Sequence, residues 1–153
     1  MPKSSSEEIT GLARIVLNHA KHVMKVLGVG HRENIYHKAL STSLNKSHIM
    51  HRSEVITPIM FMGECIGVGR ADIVLDGVVV EIKAVARCPR ATSGQLRKYM
   101  ESLVKVEKEP CSGVVINFNQ NSGEVEIVQE LPVIKASRFF QGKLWKRGAN
   151  RRI

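Results

Sequence analysis

Cysteine is scarce in this chain of 153 residues and odd in number: Cys65, Cys88 and Cys111, with no C-x-x-C spacing. That excludes a disulfide framework and a cysteine zinc site. It fits buried thiols in a reducing intracellular setting, be it cytoplasm, nucleus or the interior of a viral particle. No apolar run is long enough to span a bilayer, so no membrane partner is expected. The start, Met-Pro-Lys-Ser-Ser-Ser-Glu-Glu, lacks the apolar stretch of a secretory signal. The glycines of Gly67-Val68-Gly69 form neither G-x-G-x-x-G nor a P-loop, so they are not a phosphate cradle. There is no internal repeat.

Acid is missing from one region in particular. None follows Glu130, yet seven of the 23 basic residues do: Lys135, Arg138, Lys143, Lys146, Arg147, Arg151 and Arg152. The formal net charge is +9, and 9 − 7 leaves only +2 for everything before them. The length suits one domain, here residues 1–134, followed by a cationic tail over 135–153. Such a tail attracts polyanions, nucleic acid first among them; the plainer reading is a solubilising segment. Phe139, Phe140 and Trp145 lie among its basic residues. Interleaved aromatics can stack on bases or dock the tail on the domain, and at least Phe139 or Phe140 is expected to dock.

What is present centres on Ala71-Asp72-Ile73-Val74-Leu75-Asp76-Gly77-Val78-Val79-Val80-Glu81-Ile82-Lys83. Asp-Gly between β-branched runs predicts a two-residue type I′ hairpin. The register follows: Leu75 opposite Val78, Val74 opposite Val79, Ile73 opposite Val80, and Asp72 opposite Glu81. Alternation puts Asp72, Val74, Val79, Glu81 and Lys83 on one face. Two facing carboxylates repel. Lys83 could neutralise them, as could a divalent cation, which takes clustered oxygen ligands; an exposed polar ribbon face is the plain alternative.

Around the hairpin the pattern alternates helix and strand. Ser4-Ser5-Ser6-Glu7-Glu8 opens a helix. Ile9, Ala13, Val16, Ala20, Val23 and Leu27 recur at helical spacing, and Gly28-Val29-Gly30 stops it. A second helix is expected from about His31 to Asn45, with Glu33, Tyr36, His37 and Leu40 on one face. Glu33 reads as a semi-buried carboxylate with a partner, or as one favoured by the helix N-terminus. His37 reads as a ligand, a proton carrier or a packing residue. Glu54 to Met62 and Glu64 to Val68 read as strands about Gly63, the first at an edge or bulge because of Pro58. Thr92 or Ser93 can cap a third helix running to about Val106, with Gln95 in its first turn, pointing to the preceding strand's end or to solvent. Gly113 to Phe118 reads as an interior strand, and Glu124 to Leu131 as a less buried one.

These residues carry a resemblance. Gly30-His31-Arg32-Glu33-Asn34-Ile35-Tyr36 matches G-x-x-E-x-x-Y. Arg70-Ala71-Asp72, Val80-Glu81-Ile82-Lys83-Ala84, Gln95-Leu96-x-x-Tyr99 and Ile116-Asn117-Phe118 follow in order. The chain resembles a GxxExxY protein, a branch of the PD-(D/E)XK nuclease-like superfamily, over roughly residues 9 to 119. The resemblance implies an α/β, restriction-endonuclease-like core with a mixed central sheet flanked by helices. It implies Mg²⁺ or Mn²⁺ held by Asp72, Glu81, the Ile82 carbonyl and Glu33. Lys83 would position or activate the attacking water, or stabilise phosphate charge, and Gln95 would orient water or substrate, with Tyr99 nearby. Two positions depart from the pattern: Ala71 stands in place of the namesake Pro, and Thr92 where a His is expected before the Gln helix.

The function expected on these grounds is metal-dependent hydrolysis of phosphodiester bonds, in DNA more than RNA. Arg70, Lys143, Lys146, Arg147, Arg151, Arg152 and Trp145 are the expected nucleic-acid contacts. A homodimer or a larger nucleoprotein assembly is compatible with this. The competing reading is a catalytically silent nuclease-fold protein that binds nucleic acid or serves as a structural component of such an assembly. A protein–protein module is a third class for which the sequence offers no partner motif.

Overall fold

The computed structural model describes the backbone of residues 5–136 and the side chains of residues 11–136. Ser4 and the side chains of Ser5 and Ser6 at the expected helix cap, the docking of Phe139 or Phe140 and the tail contacts Lys143, Trp145, Lys146, Arg147, Arg151 and Arg152 lie outside the described residues.

Among the described residues, three helices flank one five-stranded sheet. The order is α1 (Ser5–Leu27), α2 (Glu33–Lys46), β1 (Arg52–Phe61), β2 (Glu64–Leu75), β3 (Val78–Lys83), α3 (Ala91–Glu107), β4 (Cys111–Phe118) and β5 (Val125–Ile134). The strands lie side by side in chain order. All neighbours are antiparallel except β3 and β4, which run parallel. Parallel neighbours need a crossover, and α3 supplies it. The expected mixed α/β sheet is therefore what the chain forms.

The Asp76-Gly77 hairpin forms as read. Asp76 (φ 39°) and Gly77 (φ 78°) both take positive φ, which a type I′ turn demands and glycine tolerates. The pairs Leu75–Val78, Val74–Val79 and Ile73–Val80 follow. β4 is the interior strand expected beside β3, with all eight residues buried. β1 is an edge strand, and its register shifts between Ile59 and Met60, just past Pro58.

Three expectations change. Glu64 to Val68, read as a strand of its own, is the first part of one twelve-residue strand, β2, which runs on through Gly69 and Arg70 to Leu75. A Cβ on Gly69 would fall 2.5 Å from Tyr99 Cε1, so Gly69 is there to let the Tyr99 ring lie against the strand. α2 starts at Glu33, two residues later than expected. α3 starts at Ala91 without a side-chain cap. Thr92 is buried one residue into the helix, and Ser93 Oγ donates to the Arg90 carbonyl at 3.1 Å.

The core is two layers. On one side of the sheet Val16, Ala20, Val23, Tyr36 and Leu40 of α1 and α2 pack on Ile73, Val78, Val80, Ile82 and Phe118. On the other, Leu96, Met100, Leu103 and Val104 of α3 pack on Val74, Val79 and Val115. Alternation along β3 thus sends Val79, Glu81 and Lys83 to the α3 side.

Candidate active site

The site lies where β2 and β3 part. The hairpin register, continued, would set Asp72 opposite Glu81 and Ala71 opposite Ile82. The ladder stops at Ile73–Val80 instead, so the expected Asp72–Glu81 pair is not a ladder pair. Ile82 N–H, due to bond the main chain of Ala71 in an unbroken hairpin, donates to Asp72 Oδ2 at 2.8 Å. The carboxylate has replaced a strand neighbour.

β2 changes phase at the same point. Ala71 and Val74 both join the α3 layer, while Ile73 faces α1 and α2. A strict period of two cannot do this, so Asp72 sits at a break in the alternation. β1 shows the matching distortion. Glu54 has φ 51°, and its pair with Asp72 is absent between Ser53–Ile73 and Val55–Ala71. Val74 and Val79 share the α3 face as expected, and by alternation so do Glu81 and Lys83; the departure is confined to Asp72, where the alternation of β2 breaks.

Glu81 is 4% exposed and its Oε2 has no hydrogen-bond partner among the described residues. Its Oε1 lies 3.4 Å from Lys83 Nζ. Burial, and then the Asp72 charge, push its carboxyl up to about 8 against the pull of Lys83. Asp72 is also raised, by burial above all, against the Ile82 N–H, His37 and Lys83, with Glu54 adding repulsion. Burial alone would lower Lys83, but Glu81, Glu33 and Asp72 together hold its ammonium above the usual range.

Glu33 arrives from α2. The signature around it has a structural logic. Gly30 adopts φ 102°, which a residue with a Cβ resists. Tyr36 is fully buried, stacks on Phe118 with centroids 4.6 Å apart, and donates its hydroxyl hydrogen to the Gly28 carbonyl at 2.7 Å. The turn and the ring fix the first turn of α2, and Glu33 between them feels the charges of Lys83 and Asp72. Local burial raises its carboxyl, with Lys83 opposing.

Asp72, Glu81, Lys83 and Glu33 are thus brought together. Gln95 reaches them only at one remove: it is exposed, and its Nε2 donates to Tyr99 Oη at 2.8 Å. Tyr99 in turn feels Glu81, Asp72 and Lys83, and burial foremost raises its hydroxyl. Arg70 is exposed and, by alternation with Gly69 beneath Tyr99, lies on the face of β2 away from α3.

Three further residues matter: His37, which its spacing already marked as a ligand, a proton carrier or a packing residue, and Asn117 and Gln120, to which composition and spacing gave no role. His37, one turn after Glu33, has a buried Nε2 with no partner among the described residues, and its charge acts on both Glu33 and Asp72. Asn117, 1% exposed, accepts from Val85 N and donates to Val85 O, both at 3.1 Å, and so clamps the chain just past Lys83. Gln120 accepts from Gly30 N at 2.7 Å and donates to Tyr36 Oη at 3.1 Å, tying the start of α2 to the end of β4. Asn117 lay within a matched motif, but polar residues after an apolar run give no local sign of what they clamp.

Among the described residues no three His, Cys, Asp or Glu side chains form a ready-made metal cage. The donor set still suits a hard cation. It offers carboxylate oxygens, one buried without a partner, whose raised affinities for protons show uncompensated negative charge.

The family model of the PD-(D/E)XK nuclease superfamily matches residues 10–129. The match spans most of the chain, and the chain belongs to that superfamily, whose nucleases generally use divalent metals. No curated protein and no solved structure matches it. No helix among the described residues is long and apolar enough to cross a membrane.

Proposed function

We propose that the protein is a metal-dependent nuclease of the GxxExxY branch that hydrolyses phosphodiester bonds, of DNA before RNA. The observation that carries this is Glu81: a buried carboxylate with an orphaned oxygen, beside Asp72 and Lys83, at a break in the sheet. Keeping a destabilised carboxylate there makes physical sense if a cation completes it.

Asp72, Glu81 and the Ile82 carbonyl would hold Mg²⁺ or Mn²⁺, with Glu33 supplying a further carboxylate. When bound, such an ion lowers the pKa of its water and offsets charge on the phosphoryl oxygens. Lys83 stays protonated, held so by three carboxylates. It therefore stabilises negative charge on the phosphate and does not serve as the base. Tyr99, hydrogen-bonded to Gln95, lines the α3 side and would orient substrate or water there. The tail residues Lys143, Trp145, Lys146, Arg147, Arg151 and Arg152 would hold the nucleic acid, the cations by neutralising phosphates and Trp145 by stacking on a base.

The test is incubation of the purified chain with labelled DNA and RNA of single-stranded, duplex and branched form, with and without Mn²⁺. Glu81→Ala serves as control. Cleavage that needs the metal and disappears in the control is expected. Equal cleavage by Glu81→Ala, or none by the parent, sinks the proposal. One observation favours a silent, binding-only protein: the Lys83–Glu81 ion pair already supplies part of the counter-charge. Salt-sensitive nucleic-acid binding without cleavage would be its signature.

A further inference from the structure

The described side chains, residues 11–136, include sixteen Lys and Arg and twelve Asp and Glu, and 16 − 12 leaves +4. All of that excess sits in one stretch. Residues 84–98 hold Arg87, Arg90, Arg97 and Lys98 and no acid, so the other described positions balance at twelve against twelve. All four are exposed, and none of their side chains has a hydrogen bond or ion pair among the described residues. Unpaired cations so close together repel one another, and an anionic partner relieves that.

Their placement is ordered. Leu96 and Met100 turn one side of α3 to the sheet. Arg90, at the N-cap, and Gly94, Arg97 and Lys98 are spaced i, i+4, i+7 and i+8, so they share the opposite side. The stripe ends at Glu101. From Arg90 to Lys98 it runs about 12 Å along the helix, the rise of about three to four nucleotides in one strand of a duplex. Arg87 joins it from the loop, where Arg87, Cys88, Pro89 and Arg90 line one hollow. That loop is held at both ends. Asn117 clamps Val85, and Thr92 N–H donates to the Pro89 carbonyl at 3.2 Å. The cations therefore begin four residues beyond Lys83 and run past Gln95 and Tyr99.

Gly94 lies in the middle of the stripe. It is helical and exposed, and a Cβ there would meet nothing within 4 Å. The fold does not call for glycine at this point, and glycine weakens a helix relative to alanine. Ala86, Pro89 and Ala91, also exposed, keep the surface between the cations low. A chain of phosphates can lie close on such ground, and these small side chains read no base edge.

We propose that this stripe is a phosphate track: Arg87, Arg90, Arg97 and Lys98 hold the backbone of a nucleic acid to one side of the bond to be cut, whatever its sequence. The choice of ligand rests on the nuclease reading. Arg70, on the face of β2 away from α3, lies off the track. An acidic protein would meet the same charges but gives no account of their place beside the candidate site.

Fluorescence polarisation of the full chain with labelled DNA and RNA, each in two unrelated sequences, tests it in chelator, where cleavage plays no part. Arg87→Gln, Arg90→Gln, Arg97→Gln and Lys98→Gln should each weaken binding several-fold, equally on both sequences, and each should lower the salt slope by about one. Lys21→Gln, exposed on α1 across the sheet, should do neither. Gly94→Leu should weaken binding roughly tenfold or more while raising the thermal midpoint, an opposition that damage to the fold cannot give. Stripe variants that lose no more than Lys21→Gln overturn the proposal, as does a Gly94→Leu chain that binds like the parent. If that parent still cleaves with Mn²⁺, the nuclease reading stands and the track alone falls. The expected losses in a parent that never cleaves uphold the track and sink the nuclease. A parent that binds neither DNA nor RNA overturns both and leaves the stripe to an acidic protein.

Discussion

Glu81 should destabilise the metal-free protein, and Glu81→Gln should relieve it. The Glu81 carboxyl is pushed from its ordinary 4.5 up to about 8. The folded state therefore binds this proton more tightly than the unfolded chain does. Its contribution to stability is complete below 4.5, falls as pH rises, and is lost above about 8. At about 1.4 kcal/mol per unit, the whole loss is on the order of 5 kcal/mol, of which about 3 has gone by pH 7. Glutamine keeps the shape and carries no charge. It forfeits the 3.4 Å contact with Lys83, but Asp72 and Glu33 still face that ammonium. A net gain of about 2 kcal/mol near neutral pH is expected once the lost charge-assisted contact is subtracted. Urea unfolding followed by circular dichroism, in chelator, from acid to mildly alkaline pH, measures it. The parent should lose stability between pH 4.5 and 8, and the variant should lose far less. Added Mn²⁺ should stabilise the parent and leave the variant nearly unmoved. A parent with flat stability over this window, or a variant less stable than the parent at its upper end, would refute the account of Glu81 as a strained, cation-seeking group.

Three further outcomes are expected. Lys83→Met should reduce metal-dependent cleavage by roughly a hundredfold or more while leaving the fold intact, read by cleavage rate against thermal unfolding; an undiminished rate removes Lys83 from the chemistry. Gly69→Ala puts a methyl group 2.5 Å from Tyr99 Cε1 and 3.0 Å from Thr57 Oγ1, so it should cost about 1–3 kcal/mol in urea unfolding. Tyr99→Ala in the same chain should recover part of that cost, and no recovery would mean that the ring is not what Gly69 accommodates. Deletion of residues 137–153 removes six basic residues and should flatten the dependence of nucleic-acid affinity on salt; an unchanged slope would assign the phosphate contacts to the domain.

The hairpin was the most legible part of the chain because its turn chemistry and its alternation are local and agree with each other. Asp-Gly sets the loop, the loop sets the register, and the register of Leu75–Val78 to Ile73–Val80 formed as read. β4 was legible for a similar reason, since a strand between two neighbours and under two helix layers is buried along its length and its run Val114-Val115-Ile116 is apolar without alternation. The site itself was legible only as a set of residue types. Its geometry depends on a failure of the local rule: the alternation breaks at Asp72, and a side chain takes the N–H of Ile82. No periodicity announces such a break. Only Glu54, with φ 51° on the neighbouring strand, shows where the sheet yields. Gly69 misled for the opposite reason. Glycine in a strand run reads as a terminator, yet here it admits a ring from α3, thirty residues later in the chain. Gln120 shows the same limit. It is an ordinary polar residue in its own stretch, and it acquires its role from partners in another element. What sequence reading finds is chemistry that is declared locally. What it misses is chemistry created where elements meet, and in this fold the candidate site lies at such a meeting, between α2, the parting strands β2 and β3, and the first turns of α3.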